Sequence, residues 1–188
     1  MIPRQPLMRE IAPIAPTDAL RAFEGLPDLV FLDSGSNPSE LARWSFVAAD
    51  PFARFEIRNS QALWQNEPMA GDAFTLFKDK VSGYTLEPQK DGPPLISGAI
   101  GFLAYELGSH FESIPSMPKS REGEAELSFG FYDVVFAHDA LTKKSFLISS
   151  GFPEYDDRRR SSRAQERLQL FEKKLKSHPR ALKNNPPV

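Results

Sequence analysis

The stretch FLDSGSNPSELARWSFVAADP, Phe31 to Pro51, decides how this chain folds. Its first residues belong to an apolar run, Leu29 to Asp33, that is too short for a helix and suits a buried strand. Gly35 to Glu40 then supplies glycine, asparagine, proline and serine, the residues of a turn. Arg43 to Ala49 reads as a second strand. Asp50-Pro51 ends it, because proline has no amide hydrogen for a ladder. Two strands joined by a turn imply antiparallel pairing.

The rest of the chain repeats this grammar. Thr17 and Asp18 ahead of Ala19, Leu20 and Phe23, with Gly25 behind, predict a short helix capped by a side-chain oxygen. Phe55 and Ile57 alternate with Glu56 and Arg58 as in a half-exposed strand, and Ala62 to Gln65 is spaced to pair with it. Phe74, Phe77 and Val81 put a helix over Gly71 to Gly83. Ile96 to Ala104 is an apolar strand in which Gly98 and Gly101 imply close approach of another backbone. His110 to Glu124 is polar and reads as a surface loop. Leu127, Phe129 and Phe131 alternate, Val134 to Phe136 reads as the same strand continued, and Ser145 to Ser149 as its return partner. Asp156 to Ser177 is a long helix whose Ala164, Leu168, Phe171 and Leu175 form one stripe, with acids at its start and lysines at its end. Strands outnumber helices and turns are short, which gives an α+β fold, mainly antiparallel sheet with helices packed on one side. Residues 1–14 read as an N-terminal extension, 15–177 as one domain, and 178–188 as a tail or a truncated linker.

Composition narrows the function. Hydrophobic residues at 40% and charged residues at 26% describe a soluble globular protein, and 188 residues suffice for one substantial core. A net charge of −2 offers no field for nucleic acid or for an anionic membrane. No apolar run approaches the roughly 18 residues of a membrane span, and the proline-rich start is unlike a leader, so the cytoplasm is the expected location. Cysteine is absent, which excludes disulfides and thiolate metal sites. There is no phosphate-cradling glycine loop, no HExxH and no Gly-x-Ser-x-Gly. His110, His138 and His178 are scattered, so they suggest no metal site, and Glu106 and Glu112 read as flanks of a helical turn. Arg158, Arg159, Arg160, Arg163 and Arg167 are interleaved with acids and lack aromatic neighbours for stacking bases, and they read as a solvated helix face.

One group of residues has ligand-binding chemistry. Asp33 and Ser34 close a strand and can take an amino group; Arg43 can fork a carboxylate; Trp44 offers a flat wall. Together they suit an amino acid. Equally, Asp33 and Ser34 can cap the turn, Arg43 can pair with Glu40, and Trp44 can be core.

A second stretch, SGAIGFLAYELGSHFESIP at Ser97 to Pro115, adds a resemblance. The ordered landmarks LDSG (32–35), ARWSFVAADP (42–51), GAIGFLAYELG (98–108), FE-x-x-P (111–115) and FYDVVFAHD (131–139) resemble the N-terminal domain of the chorismate-utilising synthases, the family of anthranilate synthase component I and aminodeoxychorismate synthase component I. The likeness runs from about Ala15 to Gly151. It implies a domain that performs no chemistry and contributes most of a tryptophan-type pocket. Ser34, Leu41, Ala42, Arg43 and Trp44 match its positions, with Leu41 and Ala42 standing where the family carries more polar residues. The LDSG and YELG spellings favour the aminodeoxychorismate branch, leading to 4-aminobenzoate and folate; the anthranilate branch and a stand-alone amino-acid-binding module are the alternatives. The resemblance further implies no cofactor in this chain, with chorismate and Mg²⁺ held by a C-terminal domain missing from it. The implied partners are that domain, a glutamine amidotransferase subunit and L-tryptophan. It implies, finally, a chain inactive by itself and prone to self-association through an uncovered apolar sheet face.

Overall fold

The computed structural model describes residues 5–35, 37–87, 92–110 and 124–178. Most of the expected surface loop, with Glu112 and the 111–115 landmark, and nearly all of the expected tail lie outside the described residues. The chain forms two compact units. The first takes residues up to Pro51, then Leu86–Ser97, then Tyr132 onward; the second takes Phe52–Thr85 and Gly98–Phe131. No described helix is long and apolar enough to cross a membrane.

The first unit holds a five-stranded antiparallel sheet, order β1 (Leu7–Ile11), β10 (Lys144–Ser149), β9 (Val134–Asp139), β3 (Trp44–Ala48), β2 (Val30–Leu32). Helices α1 (Pro16–Ala22) and α3 (Asp157–Ser177) pack on it. Alternation along the strands gives each face its own core. On the helix side Val47, Val134, Phe136 and Leu147 meet Ala19 and Phe23 and the α3 stripe of Leu168, Phe171 and Leu175. Phe23 and Phe171 touch edge to face, with centroids 4.9 Å apart. Each fully buried side chain of this kind contributes about 1.5–3 kcal/mol. The opposite face carries Phe46, Val135, Ala137 and Ile148 under Ile96, with Trp44 and Phe146 half-buried beside them.

Helix α3 is set by local chemistry as read. Asp156 accepts a hydrogen bond from the Arg159 amide, and Lys174 and Lys176 occupy the last turn. Helix α1 differs from its reading. It begins at Pro16, Ala15 caps it without a side-chain hydrogen bond, and Asp18 pairs with Arg21 instead. Proline fits the first helical position, where no amide hydrogen is needed.

The second unit holds another five-stranded sheet, order β6 (Glu67–Pro68), β5 (Gln61–Trp64), β4 (Ala53–Arg58), β8 (Leu127–Tyr132), β7 (Gly98–Leu103). Asn59 and Ser60, both at positive φ, make the two-residue turn from β4 to β5. Helix α2 (Ala73–Gly83), capped by Asp72, covers one face: Phe77 lies 5.2 Å from Phe55 and 4.9 Å from Phe129. Val81, expected on that stripe, is partly exposed. A Cβ on Gly101 would come 1.9 Å from the Ser128 carbonyl oxygen and 2.7 Å from Phe129 Cα, which is the backbone approach expected there. Gly98 has open space around it and is needed instead for its φ of +143°.

Two readings are corrected. Residues 7–11, inside the stretch read as an extension, form edge strand β1 and pair residue for residue with β10. Residues 127–136 are also not one strand. The chain breaks at Asp133, with β8 in one sheet and β9 in the other. The apolar pattern changes there: β8 carries its large apolar residues on odd positions through Phe131, whereas β9 is apolar on both parities, Val134 and Phe136 toward one core and Val135 and Ala137 toward the other.

Candidate functional site

The landmarks 42–51 and 131–139 are neighbouring strands, β3 and β9, in register from Trp44 opposite Asp139 to Ala48 opposite Val135. An ion-pair cluster holds each end of this pair.

At the first end Arg43 forks Asp139, Nε to Oδ1 at 3.0 Å and Nη2 to Oδ2 at 2.6 Å. Asp139 also accepts from the Leu141 and Thr142 amides and from the Thr142 hydroxyl, so one carboxylate fastens β3 to the turn beyond β9. Arg43 and these donors hold the Asp139 carboxyl well below the usual carboxylate range. The same contact raises Arg43. The guanidinium lies 5.0 Å over the Trp44 ring. Trp44 in turn stacks on Phe46 at 6.2 Å and meets Phe146 at 6.3 Å.

Ser34 donates to the Trp44 carbonyl at 2.7 Å, and the Ser45 hydroxyl donates to Asp33 at 2.7 Å. The structure thus brings Ser34, Arg43 and Trp44 together. It places Leu41 fully exposed at the tip of the intervening turn, while the Ala42 amide bonds the Ser39 hydroxyl. Arg43 does not pair with Glu40: the cross-strand Asp139 takes both arms of its fork. A free carboxylate would have to compete with Asp139 for that fork.

Next to this corner, on the helix side of the sheet, His138 Nδ1 lies 2.9 Å from the fully buried Ser145 Oγ. That oxygen accepts from the Ile14 amide and donates to the Ile14 carbonyl. Which of Nδ1 and Oγ donates follows the imidazole tautomer. Burial lowers the His138 pKa, Lys143 adds to the shift, and Asp139 opposes it.

At the other end Arg167 of α3 joins two landmark acids. Its Nη1 reaches Asp50 Oδ2 at 2.6 Å, and its Nε and Nη2 both bond Asp133, at 3.0–3.2 Å. Asp133 is wholly buried, with Arg163 also 3.6 Å away. Burial pushes the Asp133 carboxyl up, while Arg167 and Arg163 pull it down. The expected solvated arginine face is therefore corrected in part. Arg163 bonds the Phe152 carbonyl, Arg160 bonds those of Gln5 and Ser150, and Arg167 is inside, while Arg158 and Arg159 face water. The signal was the spacing: residues 160, 163 and 167 share one helix face beside the apolar stripe.

A cavity of about 180 Å³ lies elsewhere, between the end of β1 and the last turns of α3, lined by Ile11, Ile14 and Leu175 among others. Among the described residues no group of three or more His, Asp or Glu is placed to hold a metal ion.

The family of chorismate binding enzymes matches residues 28–187. Anthranilate synthase component 1 of Acetivibrio thermocellus is 24% identical over 138 residues, covering 71% of this chain and 28% of that protein. Its namesake from Arthrobacter globiformis is 24% identical over 132 residues, covering 68% of this chain and 25% of that one. Aminodeoxychorismate synthase component 1 of Klebsiella aerogenes is 26% identical over 136 residues, 70% of this chain and 29% of that one. In fold the chain is similar to the crystal structure of anthranilate synthase component I from Streptococcus pneumoniae TIGR4, with a TM-score of 0.58 at 20% identity over 76% of this chain and 31% of that one. The chain thus spans about 25–31% of the length of these relatives. From these matches, the chain belongs to the chorismate binding enzyme family.

Proposed function

We propose that this chain is the supporting part of a component 1 synthase that transfers an amino group to chorismate, in the aminodeoxychorismate branch, and that it makes no bonds itself. The observation that carries this reading is the β3–β9 pair fastened at both ends. Ser34, Arg43, Asp50, Asp133 and Asp139 all spend their polar groups on one another or on Arg167 and the backbone. Groups so engaged hold a shape and have little left for a substrate. Its partners would be the chorismate- and Mg²⁺-binding part of such a synthase and a glutamine amidotransferase subunit supplying ammonia.

An open tryptophan site needs a free fork for the ligand carboxylate. Because Asp139 occupies that of Arg43, the corner serves as a structural lock more than as a responsive site. Calorimetry of the purified chain with L-tryptophan should show no saturable heat up to about 1 mM; binding tighter than about 100 µM, near −5.5 kcal/mol, would overturn this. Incubation with chorismate, ammonium and Mg²⁺ should give no aromatic amine. Turnover above a heat-denatured control would refute the non-catalytic reading. The second reading, the anthranilate branch with tryptophan as regulator, is favoured by the names of most relatives above, and saturable heat with L-tryptophan would support it.

A further inference from the structure

The cavity of about 180 Å³ in the first unit shares no residue with the Ser34–Trp44 corner. The end of β1 and the last turns of α3 enclose it. Ile11, Ala12, Ile14 and Leu175 give it an apolar floor, and Glu10, Glu172 and Lys176 stand round it. The carboxylates are engaged within the chain. Glu172 accepts from Arg9 through Oε2 at 3.2 Å and from Lys176 through Oε1 at 2.8 Å, and Glu10 accepts from Lys144 at 3.0 Å. The Lys176 side chain is 66% exposed and gives Glu172 only one of its three ammonium hydrogens. With these partners counted, three cations face two carboxylates, so the mouth carries one positive charge in excess.

We propose that this cavity binds a ring-sized apolar monocarboxylate, with the ring on Ile11, Ile14 and Leu175 and the carboxylate on the Lys176 ammonium. Size sets the body of the ligand. An apolar cavity of about 150 Å³ is enough for benzene, so about 180 Å³ takes one ring and a short polar group but no long acyl chain. Charge sets its head. An ammonium meets carboxylates that already hold cations, whereas a carboxylate meets a lysine with hydrogens to give. That lysine stands in water, which screens the contact, so the affinity is near millimolar. A bound ligand touches β1 and α3 together and reinforces the Arg9–Glu172 tie between edge strand and helix.

An NMR titration of the isotope-labelled chain with sodium benzoate should shift the Ile11, Ile14 and Leu175 amides saturably, with a Kd of about 1 mM. Acetate has the charge without the ring, and benzylamine the ring with the opposite charge; each should bind at least about tenfold more weakly. Lys176→Glu reverses the excess charge and should weaken benzoate at least about tenfold while sparing benzylamine. Ala12→Phe, at an exposed position on the cavity wall, should fill the space and abolish the shifts from both ring compounds. No saturable shift up to about 20 mM benzoate, benzylamine binding as tightly as benzoate, or benzoate binding unchanged in either variant would each overturn the proposal.

Discussion

Replacing Arg167 by methionine keeps most of the side-chain length and removes the guanidinium. Two hydrogen bonds to Asp50 and three to Asp133 are lost. Asp133 then sits wholly buried with only the more distant Arg163, at 3.6 Å, to offset its charge. Removing one partner of a buried pair costs about 3–5 kcal/mol. Asp133 can relieve part of this by taking a proton, since burial already raises its pKa. The expected loss is therefore about 3 kcal/mol at neutral pH. The pH dependence has a definite sign. Without Arg167 the folded carboxyl rises further above its unfolded value of about 3.9, so the penalty is absent below that value and grows as pH rises through the folded one. Urea unfolding followed by circular dichroism should thus show a gap to the native chain that narrows as the pH falls from neutral toward the ordinary carboxylate value. Adding Asp133→Asn to Arg167→Met should recover about half the loss at neutral pH. A loss below about 1 kcal/mol, or a gap that widens on acidification, would refute the view that Arg167 neutralises a buried acid.

Three further outcomes are expected. Gly101→Ala should disrupt the second sheet, by about 3 kcal/mol or more in urea unfolding, because its Cβ would meet backbone, which cannot swing aside. Asp139→Ala should lose about 1–2 kcal/mol at neutral pH. Because Asp139 is depressed in the fold, that contribution is present above the ordinary carboxylate value and fades as pH falls toward the lower folded one, so the variant and the native chain should converge in acid. The His138 ring protons should titrate below 6.5 by NMR. Its contribution is likewise present above that value and lost as pH falls through the depressed one, and His138→Gln should flatten this part of the stability profile.

What the sequence made legible was whatever depends on near neighbours. The stripe Ala164, Leu168, Phe171, Leu175 is buried as read, and Phe55 pairs with Trp64 across the expected hairpin. Glycine at 101 announced a steric fact, and Ser34, Arg43 and Trp44 do meet at one corner. Long-range partners left no local trace. Nothing near Arg43 names Asp139, and the arginines of α3 look like surface until the strands they face are known. Strand β1 was hidden by prolines on both sides, which mask a five-residue run whose partner, Lys144–Ser149, comes much later in the chain. The break at Asp133 was available in principle, since single-parity apolar spacing gives way there to a run apolar on both parities. Alternation shows which residues share a face, but not which sheet that face belongs to.

The first sheet is completed by pairings between residues far apart in sequence, Leu7 with Ser149 and Trp44 with Asp139. During translation at about 5–20 residues per second, Leu7 therefore waits roughly 10 to 30 s for its mate to emerge from the ribosome. For most of that interval the Trp44–Ala48 segment has only the three-residue β2 beside it. Yield from a cell should follow the supply of nascent-chain chaperones and the growth temperature more closely than the strength of the promoter.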